Sequence, residues 1–251
     1  MAGIDRYIDV LNLFTTEKSM WTVLEVSAAL QVPSSTIYRT MRELMRANML
    51  EVAMNGYHRL GPAFIEFDRR TRLTDPLTQL ATPMLADIVQ HAGVPGVAVL
   101  ARLYGNTVMC VADARSPGGA VGTSYERGRP MPLTRGATSK VILAQLTTRR
   151  LNKLVATTGP SSQSLSSRVF LDDLAAIRKN GYAIGRSEVD EGRVGVAVPA
   201  SIPEQALIAS LSFVINASES NEAIERRLIL LLISSSALLK EQFASRALQQ
   251  S

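Results

Sequence analysis

"QVPSSTIYRTMREL", residues 31–44, decides the fold of the first part of the chain. Pro33 pushes Val32 out of the α region and so ends any helix that precedes it. Ser34 is placed to cap a new helix, its hydroxyl accepting from an amide of the first turn. Beyond it Ile37, Met41 and Leu44 recur at helical spacing, and so do Ser35, Arg39, Arg42 and Arg46, displaced by two residues. At about 100° per residue that displacement is a rotation of roughly 200°, so the two series occupy opposite faces of one helix. One face is apolar; the other carries three guanidinium groups.

Working outward, "TVLEVSAAL" (22–30) opens with Thr22 and Glu25 in the S/T-x-x-E capping-box arrangement. Before it, "IDRYIDVLNLF" (4–14) places Ile4, Ile8, Leu11 and Phe14 at helical spacing, with Tyr7 beside them. After the arginine helix, "MLEVAMNGYHRL" (49–60) gives two extended runs around Asn55-Gly56, a two-residue hairpin signal. Three helices and a hairpin is the order of a winged helix-turn-helix, in which one helix enters the major groove of double-stranded DNA. Ser34, Ser35 and Thr36 then sit at a helix N-terminus, where free amides favour a phosphate. Arg39, Arg42 and Arg46 face base edges or phosphates. Tyr38 borders the same side, either donating to phosphate or packing on the second helix. His58 and Arg59 on the second wing strand are phosphate candidates, with a neutral surface imidazole as the alternative for His58.

Charge alone argues little for this. The whole chain carries +5, but residues 1–72 hold nine Lys/Arg against eight Asp/Glu. The case rests on where the arginines point. Apolar residues make up 46% and charged residues 20% of the 251, enough for a sizeable core. One cysteine, Cys110, excludes a disulfide framework and a cysteine-built zinc site. The run "LILLLISSSALL" between Arg227 and Lys240 is 12 residues long, too short to span a bilayer. No basic segment followed by an apolar stretch and a cleavage site opens the chain, so a cytoplasmic protein with no membrane partner is expected.

"GPAFIEFDRRTRL" (61–73) reads as a helical connector with Pro62 at a first helical position. Beyond it, 75–93 reads as an amphipathic helix ended by Gly93, and 96–115 as two strands joined at Gly105-Asn106. Helices follow through 139–146 and 170–182, the latter with Gly181 as C-cap. Strands are expected near 182–189, 194–200 and 206–215, and a long helix over 221–248. The expected fold is α+β: a winged helix-turn-helix over 1–61, a connector helix over 62–74 and a mixed α/β domain over 75–251.

"SAALQVPSSTIYRTMRELMRANML" (27–50) followed by "YHRLGPAF" (57–64) resembles the DNA-binding segment of IclR-type bacterial transcriptional regulators. "GRPMPLTRGATSKVILAQL" (128–146), "EVDEGRVGVAVPA" (188–200) and "LIASLSF" (207–213) resemble the effector-binding domain of that family. The likeness runs from about Arg6 to Phe243, with Gln31 standing where a glycine is common. The resemblance implies a repressor or activator, a homodimer or tetramer, that binds a palindromic operator and holds a small metabolite in its second domain. Matching positions suggest Gly136, Ala137 and Thr138 on the pocket loop, Glu188 and Asp190 in an acidic segment, and Ser210 and Ser212 on the last strand.

Taken without the family, "TRGATSK" (134–140) joins an extended segment to a helix whose first amides suit a carboxylate, with Arg135 able to assist. That makes an aliphatic or aromatic carboxylate the expected effector. Thr138 is either a cap or a ligand contact. Ser210 and Ser212 share one strand face and need partners, from ligand, backbone or water. Met131 adjoins the loop and is counted with the site, although a methionine there also serves as core filling. Glu188 and Asp190 lack a nearby histidine, so a solvated turn fits them better than a metal, and no cofactor is expected. The competing reading is a hydrolase or transferase with an appended winged helix. "GATSK" lacks P-loop spacing, "SPGGAVG" (116–122) follows no dinucleotide fingerprint, and only His58, His91, Cys110 and a Ser139/Lys140 pair could serve catalysis. A third reading is a winged helix used only for protein contacts.

Overall fold

The computed structural model describes residues 3–117, 122–157, 167–202 and 206–249. The chain divides into two compact units, Met1–Asp75 and Pro76–Ser251. The first runs α1 (Gly3–Asn12), α2 (Val23–Leu30), α3 (Ser34–Arg46), β1 (Leu50–Val52), β2 (His58–Leu60) and α4 (Ala63–Thr74).

The capping box of α2 forms in both directions: Glu25 N donates to Thr22 Oγ1 at 3.3 Å and Thr22 N to Glu25 Oε2 at 2.8 Å. The Thr22 amide, with Lys18 beside it, pulls the Glu25 carboxyl down to about 2. α2 closes on Gln31, whose φ of 53° and ψ of 40° are left-handed. An L-residue with a side chain adopts that region at a cost of about 1 kcal/mol, which is why glycine is common there. Ser34 does not cap α3. Pro33 holds the N-cap position, and the Ser34 hydroxyl lies 3.0 Å from that of Ser27. Ser27 also donates to Val32 O at 2.7 Å, so side chains pin the turn from α2's side.

Ile37, Met41 and Leu44 of α3 join Val10, Phe14, Val26 and Leu50 in one core. The stripe expected on α1 is shifted. Ile4 and Ile8 are 72% and 49% exposed, and the packed side is Tyr7, Val10, Leu11 and Phe14. Ile8 and Val10 are two residues apart and so lie roughly 200° apart; only one of them can face α2 and α3. The wing turns through Asn55 at φ 57° and Gly56 at φ 78°, the two left-handed residues that a type I′ hairpin needs. Trp21 adds a bridge to the wing, exchanging backbone bonds with His58 at 2.8 and 3.0 Å. Gly61 lets the chain leave the wing: a Cβ there would lie 2.3 Å from Asn48 O.

The second unit runs α5 (Pro76–His91), β3 (Val97–Tyr104), β4 (Thr107–Arg115), β5 (Pro130–Met131), α6 (Ala137–Ala144), α7 (Thr148–Thr157), α8 (Arg168–Asn180), β6 (Ala183–Arg186), β7 (Arg193–Pro199), β8 (Ala209–Asn216) and α9 (Glu222–Gln249). The strands form one sheet in the order β5-β4-β3-β8-β7-β6, each neighbouring pair antiparallel. Val97, Val99 and Ala101 of β3 face a core with Ile142 of α6, Leu154 of α7 and Leu174 of α8. Ala98 and Leu100 face the other core, with Leu85 and Ile88 of α5 and Leu228, Leu232 and Leu239 of α9. Helices cover both faces, so β3 reads as a nearly unbroken apolar run and β8 is buried on both faces, its Ser210 and Ser212 included.

α7 was not expected from the sequence, whose segment there is mostly polar and charged. α9 is longer than the 12-residue apolar run suggests; residues Glu222–Arg246 are long and apolar enough by composition to cross a membrane. The charges that bound that run, Arg227 and Lys240, lie on the exposed side of the helix, while its opposite stripe belongs to the second core. The glycine-rich stretch 116–122 extends into residues outside the described ones.

Candidate nucleic-acid interface and ligand cleft

The face of α3 opposite the core is open. Ser34, Ser35, Tyr38, Arg39, Arg42 and Arg46 are exposed and Thr36 is half-buried. Tyr38, at 57% exposure, is on the open side and not packed under α2. Among the described residues Arg39, Arg42 and Arg46 make no hydrogen bond or ion pair. Arg59 is also exposed but bonds to Glu51 across the wing at 2.6 Å. His58 leaves the candidate set. It is 8% exposed and its Nδ1 is buried, because its strand pairs with Trp21 and turns the imidazole inward. Period-2 alternation then sends Arg59 outward.

In the second unit the chain enters α6 through Gly136 at φ 86°, where a Cβ would fall 2.7 Å from both the Tyr125 hydroxyl and Val189 Cγ2. A narrow cleft lies at this point, lined by Gly136, Ala137, Glu188, Val189, Asp190 and Arg193, with Tyr125, Gly185, Gly195 and Val214 around them. The centre of a water molecule has about 20 Å³ in it, room for roughly one water. Gly185 and Gly195 face each other across β6 and β7, and a Cβ on Gly185 would come within 3.0 Å of Ala137 N.

The charges around the cleft are bound to one another. Glu188 Oε2 accepts from Gly136 N at 2.9 Å, so a carboxylate of the protein already sits at the α6 N-terminus. Its other oxygen accepts from Lys140 Nζ at 3.0 Å, and Lys140 also pairs with Asp173 of α8 at 3.0 Å. Burial pulls the Lys140 pKa down, but the Glu188 and Asp173 carboxylates outweigh it and hold it above its ordinary value. Asp190 accepts from Thr123 Oγ1 at 2.7 Å, Ser124 N at 2.8 Å and the Ser124 hydroxyl. Burial pushes its carboxyl up; those three donors more than offset this and hold it below the usual range. Arg193 donates to Gly122 O at 2.8 Å and Asn216 Oδ1 at 2.6 Å. Tyr125 is 5% exposed, and burial pushes its phenol up to about 12.

Thr138 does not cap α6. Gly136 holds that position, and Thr138 Oγ1 lies 3.0 Å from Ser212 Oγ, while Ser210 Oγ donates to Thr138 O at 3.3 Å. The two serines therefore find partners on α6, and they pack under that helix instead of lining the cleft. Met131 is buried in the first core opposite Val108. Arg135 is exposed and does not line the cleft, since the chain turns at Gly136 immediately after it. Of the positions read from sequence, Gly136, Ala137, Glu188 and Asp190 come together. Sequence reading missed Tyr125, Arg193 and the two glycines. Gly185 and Gly195 carried a usable signal, because glycine inside a strand marks a close backbone approach; Tyr125, in the loop between β4 and β5, carried none.

Residues 74–238 match the family model for the bacterial transcriptional regulator IclR C-terminal domain, and residues 3–53 match the IclR helix-turn-helix domain. The HTH-type transcriptional regulator XynR of Escherichia coli (strain K12) is 26% identical over 216 residues, 84% of each chain. KipR of Bacillus subtilis (strain 168), also an HTH-type transcriptional regulator, is 23% identical over 212 residues, 81% of each. The fold is shared with an IclR transcriptional regulator from Alicyclobacillus acidocaldarius, at TM-score 0.78 and 22% identity over 95% of this chain and 97% of that one. It is shared equally with an IclR homologue from Microbacterium hydrocarbonoxydans solved in complex with 4-hydroxybenzoate, at TM-score 0.78 and 21% identity over 96% and 99%. These relatives are regulators and not enzymes, and the hydrolase or transferase alternative finds no support among them.

Proposed function

This chain belongs to the IclR family of bacterial transcriptional regulators, and from that premise we propose that it reads a pseudo-palindromic operator through α3 and answers to a small effector held at the N-terminus of α6. The observation that carries the DNA half is the set of three arginines on α3 that bond to nothing else among the described residues. Arginine reads guanine bidentately in the major groove and binds phosphate equally well. Ser34, Ser35 and Thr36 offer the helix N-terminus to a phosphate, and Tyr38 and Arg59 flank it.

The effector is a small carboxylate, aliphatic or aromatic. The 4-hydroxybenzoate bound by the Microbacterium homologue supports that class, and so does the Glu188 carboxylate seated on the Gly136 amide. An incoming carboxylate takes over that amide and displaces Glu188, and a cleft with space for about one water must widen to admit it. The displaced Glu188 keeps Lys140 as its partner. Exposed apolar residues on α1 (Ile4, Ile8) and α4 (Ile65, Phe67, Leu73) support a homodimer made through the first unit. Two copies set two α3 helices about 34 Å apart, or a multiple of that, in successive major grooves. α4 is the connector through which the effector is felt. The ligand changes operator affinity only by its differential affinity for two arrangements of the dimer. The protein works in the cytoplasm, where its operator is.

Selection of bound sequences from random duplex DNA, by the purified protein and by Arg39→Ala, tests this reading. The expected result is a palindromic consensus whose binding weakens by about 1–3 kcal/mol, or relaxes at one base, in the variant. No enrichment, with binding by both proteins lost at moderate salt, would leave the arginine face merely solvated and sink the reading.

A further inference from the structure

The positive charge of this chain is concentrated in one stretch of the second unit. Residues 127–171 hold eight Lys/Arg and no Asp or Glu, whereas the rest of the chain holds nineteen against twenty-two. Outside that stretch the protein is acidic.

The fold engages half of these cations. Arg127 donates to Val111 O, and Lys140 sits between Glu188 and Asp173. Arg129 lies 4.0 Å from Glu126, and Arg168 lies 3.9 Å from Asp172. Three of the other four stand together on α7. Leu151 and Leu154 turn that helix into the first core, which leaves Thr148, Arg149, Arg150, Asn152 and Lys153 exposed. Among the described residues the guanidinium groups of Arg149 and Arg150 make no hydrogen bond or ion pair. Arg149 and Lys153 lie one turn apart on the same side, and Arg150 lies about 100° round from Arg149.

The composition of this side says what it fits. Arginine, lysine, threonine and asparagine are side chains that reach phosphate oxygens. The core of a protein interface is instead depleted of charge and anchored by aromatic or large apolar residues. α7 has no aromatic residue, and both its leucines are buried. Cations and small polar groups without an apolar anchor suit a partner that is held by its charge alone.

We infer that the exposed side of α7 is a second DNA contact, made to the phosphate backbone and indifferent to sequence. It rests on the DNA-binding reading of the first unit and adds to it. α3 chooses the site; α7 contributes affinity and salt dependence, with no part in base preference.

Anisotropy titrations of the full chain with a random-sequence duplex of about 30 base pairs, over a range of salt, test it. Arg149→Gln/Arg150→Gln is expected to weaken binding about tenfold near 0.1 M salt and to lower the log–log salt slope by about 2. The same loss is expected in a background of Arg39→Ala/Arg42→Ala/Arg46→Ala, so the outcome does not depend on what α3 reads. A palindrome selected by the wild type is expected to be selected again by the glutamine variant. Arg226→Gln/Lys240→Gln, which removes as much charge from exposed positions on α9, leaves both quantities unchanged. Equal slopes for wild type and Arg149→Gln/Arg150→Gln would overturn the inference, even where α3 still selects a palindrome. So would an equal loss in the α9 variant, because net charge and not contact would then be acting. Binding of poly-L-glutamate by the wild type, lost in Arg149→Gln/Arg150→Gln while DNA binding is unchanged, would overturn it in favour of an acidic protein.

Discussion

On α3 the charged side chains stand apart from the rest of the protein; around the cleft almost every charge is held by another group. Arg39, Arg42 and Arg46 project from a helix whose other face is locked into a core, and among the described residues they make no hydrogen bond within the protein. Arg193, Lys140, Glu188 and Asp190 are each committed to carbonyls, hydroxyls, amides or one another. The difference separates two modes of recognition. A rigid face with unsatisfied charge is ready for a polyanion as it stands, and pays no internal contact to bind one. A cleft whose polar groups already satisfy each other needs a ligand that replaces those bonds, and so the ligand changes the structure when it enters. That is the property a sensor requires, since only differential contact moves an equilibrium.

The comparison breaks most visibly where a committed arginine is removed. Arg186 donates to both oxygens of Glu225, at 2.6 and 2.8 Å, and Glu225 is 8% exposed. Arg186→Ala leaves that carboxylate buried with Ser220 as its remaining partner and is expected to cost about 2 kcal/mol of stability. Urea unfolding would show this as a lower midpoint with unchanged slope, while Arg39→Ala stays within about 0.5 kcal/mol of wild type. Equal losses for the two variants would erase the distinction.

A smaller effect comes from pH. Arg186 holds the Glu225 carboxyl below its ordinary value of 4.5. A carboxyl depressed in the folded state contributes stability that is present above its unfolded pKa and is lost as pH falls through the folded one. The gap in unfolding free energy between wild type and Arg186→Ala should therefore be full at neutral pH and narrow once pH drops below 4.5. A gap that is flat with pH would mean that packing, and not charge, sets the first effect.

Arg59 sharpens the comparison from between its poles, being exposed yet paired with Glu51. Arg59→Ala should change stability by less than about 1 kcal/mol. In a plot of log affinity against log salt, Arg42→Ala should lower the slope by about 1 if that arginine meets phosphate, and Arg59→Ala by less, because Glu51 already offsets it.

Local signals were read well and long-range ones poorly. The capping box at Thr22 and Glu25, the Asn55-Gly56 turn, the two faces of α3 and the C-cap at Gly181 each depend on residues within a few positions of one another. Ser34 and Thr138 were legible as helix-start residues, but the cap positions went to Pro33 and Gly136, and their hydroxyls found partners across the structure. His58 is buried on a strand that pairs both with β1 and with Trp21, far back in sequence.

By itself, then, the sequence determined most of the elements, their order and the open arginine face, because helical and strand periodicity are properties of neighbouring residues; α7 and the short β5 escaped it. Family likeness added the loop at Gly136 and the acidic segment at Glu188. The tertiary structure alone decided what those residues do with one another. It set Glu188 on the Gly136 amide, closed Asp190 over Thr123 and Ser124, brought Tyr125 against the cleft and sent Arg135 to solvent. Glu188 and Gly136 are 52 positions apart, and Asp190 and Ser124 are 66. Contacts over such separations depend on how the strands and helices pack, and no local pattern of residues encodes them.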